Sequence, residues 1–399
     1  MKLRGSHLSV PVVYLRGRAL VTTITVAASL ILSTQPMLQA QSSQAQPFTE
    51  KLIFNFVSDD GVDPLAGLVR DNSGNLYGTT SYEGPHQNGT VFKLEPSGNF
   101  TVLYGFTGGA DGGTPRSNLL LDATGNVFGT TASGGAYNSG TVFEISPDGT
   151  ETVLHSFGSG NDGKTPFAGL VRDRAGNLYG TTVTGGAHQS GTVFRINAAG
   201  LERVLYSFTG GNDGLQPFAG VVLDPSGNIY GCAQYGGASG DGTLFKLDRT
   251  GKLTVLYNFA QLTGSYPNGV VRDVAGNFYG TTRSGGTNDD GTVFKVSDTG
   301  QATVLHNFGS GTDGQYPYAP LIRDSAGNLY GTTYGGGSGR GTIFKVDASG
   351  SESVIYAFAG DADGDAPVGS LVRDAAGNLY GTTVYGGLGG TVFEISPQK

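Results

Sequence analysis

The chain has 399 residues, 69 of them Gly, with one Cys, no Trp and a formal net charge of −8. Only 14% of residues are charged, and an acidic chain of this kind is a poor match for nucleic acid or an anionic membrane surface. One cysteine excludes an intramolecular disulfide, so packing has to hold the fold.

The first forty residues differ from the rest. Lys2, Arg4, Arg16 and Arg18 precede an apolar run from Ala19 to Leu32, and a small-residue site follows at Leu38-Gln39-Ala40. That order predicts a cleaved signal peptide over residues 1–40, since the run is short for the roughly 30 Å of a bilayer core. Without it the chain keeps 20 basic and 32 acidic residues, a net charge of −12. A secreted, periplasmic or cell-surface bacterial protein is expected, with no membrane span after signal cleavage. Residues 41–50 are polar and Gln/Ser-rich, which reads as a tether, and residues 51–399 form one domain.

From Lys51 the chain cycles through short β-formers. Lys51 to Phe56 is a first strand, and a Gly/Asp loop then runs to Pro64. Four segments follow, here called A (Leu65–Arg70), B (Leu76–Thr80), C (Thr90–Leu94) and D (Phe100–Phe106). Each is rich in Val, Leu, Tyr, Phe and Thr and bounded by Gly, Asp, Asn or Pro. The heptapeptide Gly-Asn-Leu-Tyr-Gly-Thr-Thr opens strand B at Gly74 and returns, whole or altered, at Gly125, Gly176, Gly227, Gly276, Gly327 and Gly377. The steps are 51, 51, 51, 49, 51 and 50 residues, a repeat period. Neighbouring apolar residues such as Val91-Phe92 face opposite sides of a strand, so both faces of each sheet are covered. Four-stranded sheets covered by their neighbours are propeller blades.

The ends predict closure. The seventh repeat stops after strand C at Ile395, while the chain opens with an unattached strand D. The expected fold is therefore all-β: a seven-bladed β-propeller with four strands per blade, closed when the N-terminal strand completes the last blade. Closure removes the exposed edges of an open array.

The repeated residues read as structure. Asp stands three residues before each Gly-Asn, from Asp71 to Asp374, as an acceptor in a tight A–B turn. A Gly recurs in every strand B, a Phe in every strand C, and a Phe ends every strand D. Rings filling space above glycines predict the core between blades. These units, Asp-x-x-Gly-Asn-Leu-Tyr-Gly-Thr-Thr and Gly-Thr-Val-Phe, resemble the bacterial Gloeo–Verruco tandem repeat of choice-of-anchor proteins over essentially all of residues 51–399. The A–B turn is also similar to that of NHL-type propellers. The first resemblance implies a secreted or surface-exposed protein with no assigned activity. No anchor-like segment follows Pro397.

Any site belongs on the face carrying the longer, variable B–C and D–A loops. The D–A loops place Asp111, Asp162, Asp213, Asp313 and Asp363 before Gly and Pro, either as turn residues or as carboxylates ringing the channel mouth to attract a cation or a basic or polyhydroxylated ligand. Residues that break the symmetry of the B–C loops include Tyr82, Tyr137, His188, Tyr235, Arg283, Asp289 and Arg340. Such residues suit glycan or peptide contacts. Cys232 has no histidine near it in the repeat register and reads as a small buried hydrophobe. His86, His155, His188 and His306 lie in different blades with no metal-ligand spacing. No metal, cofactor or catalytic residue is expected. The chain is expected to be a monomeric, non-enzymatic binding module for an extracellular glycan or protein. The alternatives are a propeller enzyme, a polysaccharide lyase or hydrolase working at the channel mouth, and a structural envelope component.

Overall fold

The computed structural model describes residues 48–309, 312–360 and 362–398. The expected signal peptide and most of the tether lie outside the described residues. Seven four-stranded antiparallel sheets follow one another along the chain, each in the order A-B-C-D. Among the described residues no helix is long and apolar enough to cross a membrane.

The ring closes as its ends predict. Phe48–Asn55 pairs antiparallel with Thr391–Pro397, from Phe48 opposite Pro397 to Asn55 opposite Thr391. This outer strand begins three residues before the expected Lys51, because Phe48, Thr49 and Glu50 still find ladder partners in Pro397, Ser396 and Ile395. Strand A is shorter than expected. In blade 1 only Val69–Arg70 joins the ladder, opposite Tyr77 and Leu76. The preceding residues run along the axis, where Gly67 N–H bonds to Asn118 Oδ1 at 2.7 Å instead of to a strand. Blade 5 alone keeps a long inner strand, Ser265–Arg272.

Packing repeats seven times at the seams. The Phe that ends strand D of one blade meets the strand C Phe of the next, as Phe106–Phe143 at 5.1 Å and Phe157–Phe194 at 4.9 Å. Closure repeats the contact as Phe56–Phe92 at 5.1 Å. Both rings of each pair are buried. The strand B glycine makes room: a Cβ on Gly180 would come within 2.6 Å of Phe194 Cζ. Every strand D carries a β-bulge against strand C, as between Val153 and His155. Bulges add twist, which turns the outer strand toward the neighbouring blade. Cys232 is buried in this core, and burial pushes its thiol up to about 12, so it packs as a small apolar group.

Candidate functional site

The disc has two unlike faces. On the A–B turn face the Asn backbone and side-chain amides bond the turn aspartate in each blade, and a Tyr hydroxyl joins them in every blade but the second, which has Phe128. Asp173 Oδ1 accepts from Ala175 N and Asn177 N at 2.9 Å, and its Oδ2 accepts from Asn177 Nδ2 at 2.7 Å and Tyr179 OH at 3.0 Å. Burial would raise this carboxyl, but the hydrogen bonds outweigh it and hold it below its ordinary value. Arg172 sits over the Phe128 ring, and Arg323 over the Tyr279 ring, closing the seams. The turn aspartates are satisfied within their own repeat.

The opposite face holds a depression of about 560 Å³ at the axis. Its lining comes from two registers. The residue after the D–A proline points inward, giving Arg116, Phe167, Phe218, Asn268 and Tyr318, and the B–C loops add Gln234, Tyr235, Arg283, Tyr334 and Tyr385. Below them the backbones approach closely: a Cβ on Gly67 would come within 2.4 Å of the Ser370 carbonyl oxygen. Asn118 Nδ2 donates to Ser370 Oγ at 2.7 Å, joining blade 2 to blade 7 over that glycine. A side groove of about 510 Å³ shares Tyr334 and Tyr385 and runs out past the Arg340–Asp365 ion pair at 2.6 Å.

The mouth is aromatic and cationic. Phe167 and Phe218 lie 5.6 Å apart, with the Arg116 guanidinium 5.4 Å from the Phe167 ring. Arg283 stands 5.0 Å over Tyr318, which meets Tyr334 edge-on at 5.6 Å. Arg116 donates to Tyr82 OH, while its Nε is shielded from solvent and lacks an acceptor. No described lining residue of the depression is an Asp or Glu.

Of the expected site residues, Tyr235 and Arg283 line this depression, and Arg340 lines the side groove. Tyr137 and His188 are exposed on their own B–C loops. Asp289 Oδ1 caps its loop by accepting from Gly285 N at 2.8 Å. The five D–A aspartates do not ring the mouth. They sit at the seams against outer strands: Asp111 accepts from Tyr104 OH at 3.1 Å, Asp213 from Tyr206 OH at 2.9 Å and Asp363 from Tyr356 OH at 2.8 Å. In the same register Asp162 meets His155 Nε2 at 2.9 Å and Asp313 meets His306 Nε2 at 3.0 Å.

A glutamate at the start of the next outer strand completes four of these seams: Glu151 beside Asp111, Glu202 beside Asp162, Glu352 beside Asp313 and Glu50 beside Asp363. Burial, reinforced by the neighbouring Asp, pushes Glu151, Glu202 and Glu352 up to about 7. Sequence spacing missed these clusters because the third member belongs to another blade. The mouth had a legible signal that went unused, namely the residue after each D–A proline, which changes from blade to blade as Leu65, Arg116, Phe167, Phe218, Asn268, Tyr318 and Val368.

The Gloeobacter/Verrucomicrobia repeat family matches the chain twice, over residues 41–225 and 217–399. Among curated proteins none matches it. Solved structures share the fold at low identity. A puromycin hydrolase is 12% identical with a TM-score of 0.56, over 84% of this chain and 52% of that one. This chain thus spans about half the length of that hydrolase. A putative gluconolactonase is 11% identical with a TM-score of 0.45, over 88% and 92% of the two chains. A putative 6-phosphogluconolactonase from Bacteroides uniformis is 16% identical with a TM-score of 0.48, over 73% and 83%.

Proposed function

The chain belongs to the Gloeobacter/Verrucomicrobia repeat family, and from that premise we propose that it is a secreted, monomeric propeller that binds an acidic glycan in the depression at the channel mouth. One observation carries this: on a chain of net charge −8, the lining has two guanidinium groups, several aromatic rings and no described carboxylate. Planar guanidinium groups pair with carboxylate or sulfate oxygens. Aromatic faces take the flat faces of sugar rings, and amides such as Gln234 suit hydroxyls. The side groove leaves room for a second sugar beyond the mouth.

A propeller enzyme keeps one foothold in the Arg283–Tyr318 contact. A cation beside a phenol is what β-elimination from a uronate would use, the cation neutralising the carboxylate while the phenol handles the proton. One experiment separates the two. The purified chain is titrated calorimetrically with acidic and neutral oligosaccharides, and absorbance near that of an unsaturated uronate is followed in parallel. Binding of acidic chains that falls at least tenfold in Arg116→Gln and Arg283→Gln, without product, is the expected result. Equal affinity for neutral chains, or none for either, overturns the proposal. A growing ultraviolet product favours the lyase.

A further inference from the structure

Away from the mouth, the seven seams compare one structural position seven times. The strand D residue facing the D–A loop is Phe54, Tyr104, His155, Tyr206, Tyr257, His306 or Tyr356, each opposite the equivalent strand C residue. Where it is Tyr beside Asp, the phenol donates to the carboxylate, as Tyr104 does to Asp111. At two seams it is His, and there an Asp and a Glu complete a trio. His155, Asp162 and Glu202 hold ligand atoms within 4.8 Å of one another, and so do His306, Asp313 and Glu352.

The loop sequence also sets these two seams apart. Their loops share the pattern His-x-Phe-Gly-Ser-Gly-x-Asp-Gly, starting at His155 and at His306, whereas the Tyr104 and Tyr206 loops read Tyr-x-Phe-Thr-Gly-Gly-x-Asp-Gly. After the Asp, each loop pairs with the next B–C loop, Gly163–Lys164 on Thr184–Gly185 and Gly314–Gln315 on Gly335–Gly336, a register that other blades share, as Leu215 does with Tyr235. Finally, Glu202 Oε1 and Glu352 Oε1 are shielded from solvent and have no hydrogen-bond partner. The Asp side chains are 8% and 11% exposed. Two carboxylates held this close share one imidazole, whose Nε2 already stands 2.9 or 3.0 Å from the Asp.

We propose that the two His seams are twin divalent-cation sites, His155–Asp162–Glu202 and His306–Asp313–Glu352, selective for a borderline ion such as Zn²⁺. The donor set is one imidazole and two carboxylates, which cancels a 2+ charge and leaves coordination positions open to water. Ligands about 2.0–2.2 Å from such an ion stand about 3 Å apart, and the His–Asp pairs already lie at 2.9 and 3.0 Å. The imidazoles are oriented: His155 is edge-on to Phe157 at 4.7 Å and His306 to Phe308 at 4.8 Å. At the Tyr seams Glu50 and Glu151 also have an unpartnered buried oxygen, but the third vertex is a protonated phenol. A phenol can only donate there, whereas an imidazole Nε2 that gives up its proton offers an ion a lone pair, so one substitution turns a hydrogen-bonded cage into a ligand set.

The test is equilibrium dialysis of the purified, untagged chain against Zn²⁺, with Co²⁺ visible absorption as the signature of imidazole–carboxylate ligation. Two equivalents per chain with micromolar affinity are expected, with Ca²⁺ and Mg²⁺ at least tenfold weaker because both prefer all-oxygen cages. His155→Tyr should bind one equivalent and His155→Tyr/His306→Tyr none. The fold already carries Tyr in this register, so the metal-free melting temperatures of these variants should match the parent. No saturable binding by the parent, or an unchanged stoichiometry in the double variant, overturns the proposal. Exposed His86 and His188 are intact in both variants and serve as the internal control.

Discussion

The two faces of the disc are built from the same strands and do different work. On the turn face, each tyrosine after the Gly-Asn unit spends its hydroxyl on the turn aspartate, as Tyr179 does on Asp173 and Tyr330 on Asp324. On the loop face Tyr318, Tyr334 and Tyr385 are 38–52% exposed around a cavity whose lining varies from blade to blade. A turn aspartate paired within its own repeat is not free to take a ligand. Binding capacity appears where the repeat is broken and aromatic or cationic groups face open space.

The largest effect should come from the seam core that both faces share. Phe194→Ala empties a fully buried site against Phe157 and should cost about 3–5 kcal/mol in urea unfolding, with mouth binding lost alongside stability. A smaller effect that isolates one face is expected from Asp173→Ala. It removes the acceptor of four hydrogen bonds and should cost about 2 kcal/mol, leaving affinity at the mouth unchanged. A drop in affinity with the fold intact would mean that the faces are not independent.

The smallest effect sets the turns against the seams through pH. Glu151 is raised from 4.5 to about 7 by burial and then by Asp111. A carboxyl raised on folding contributes fully below its unfolded value, and that contribution is lost as pH climbs from about 4.5 through about 7. The turn aspartates run the other way. Asp173 is lowered from 3.8, so its contribution is present at neutral pH and disappears as pH falls through the lowered value. The melting temperature should therefore decline between pH 4.5 and 7.5. Glu151→Gln should remove its share of that slope, about 1 kcal/mol after solvent screening. A slope unchanged by the substitution would place the raised group elsewhere.

Much of this was legible beforehand. The period of the Gly-Asn unit, the Gly–Phe pairing and the mismatched ends specified seven blades and their closure, because each is a local rule repeated until it leaves one arrangement. The turn aspartates were read correctly for the same reason, their partners lying two to six residues away. The D–A aspartates were less transparent. Their loop was placed on the right face, but a carboxylate beside Gly and Pro gives no hint that a bulged, twisted outer strand will present Tyr104 or His155 to it. The mouth was read only in part, through Tyr235 and Arg283, because it is assembled from single residues contributed by blades roughly fifty positions apart.

By itself, then, the sequence determined the all-β class, the blade count, the closing strand and the polar grammar of the turns, since all of these follow from contacts within one repeat or between its equivalents. Only the tertiary structure decided that Arg116, Arg283 and Tyr318 converge on the axis, and that Glu202 crosses a seam to reach His155 and Asp162. Convergence on an axis and contact across a seam depend on how far each blade twists and how tightly the ring closes. That geometry belongs to the seven blades together, and no stretch of chain carries it alone.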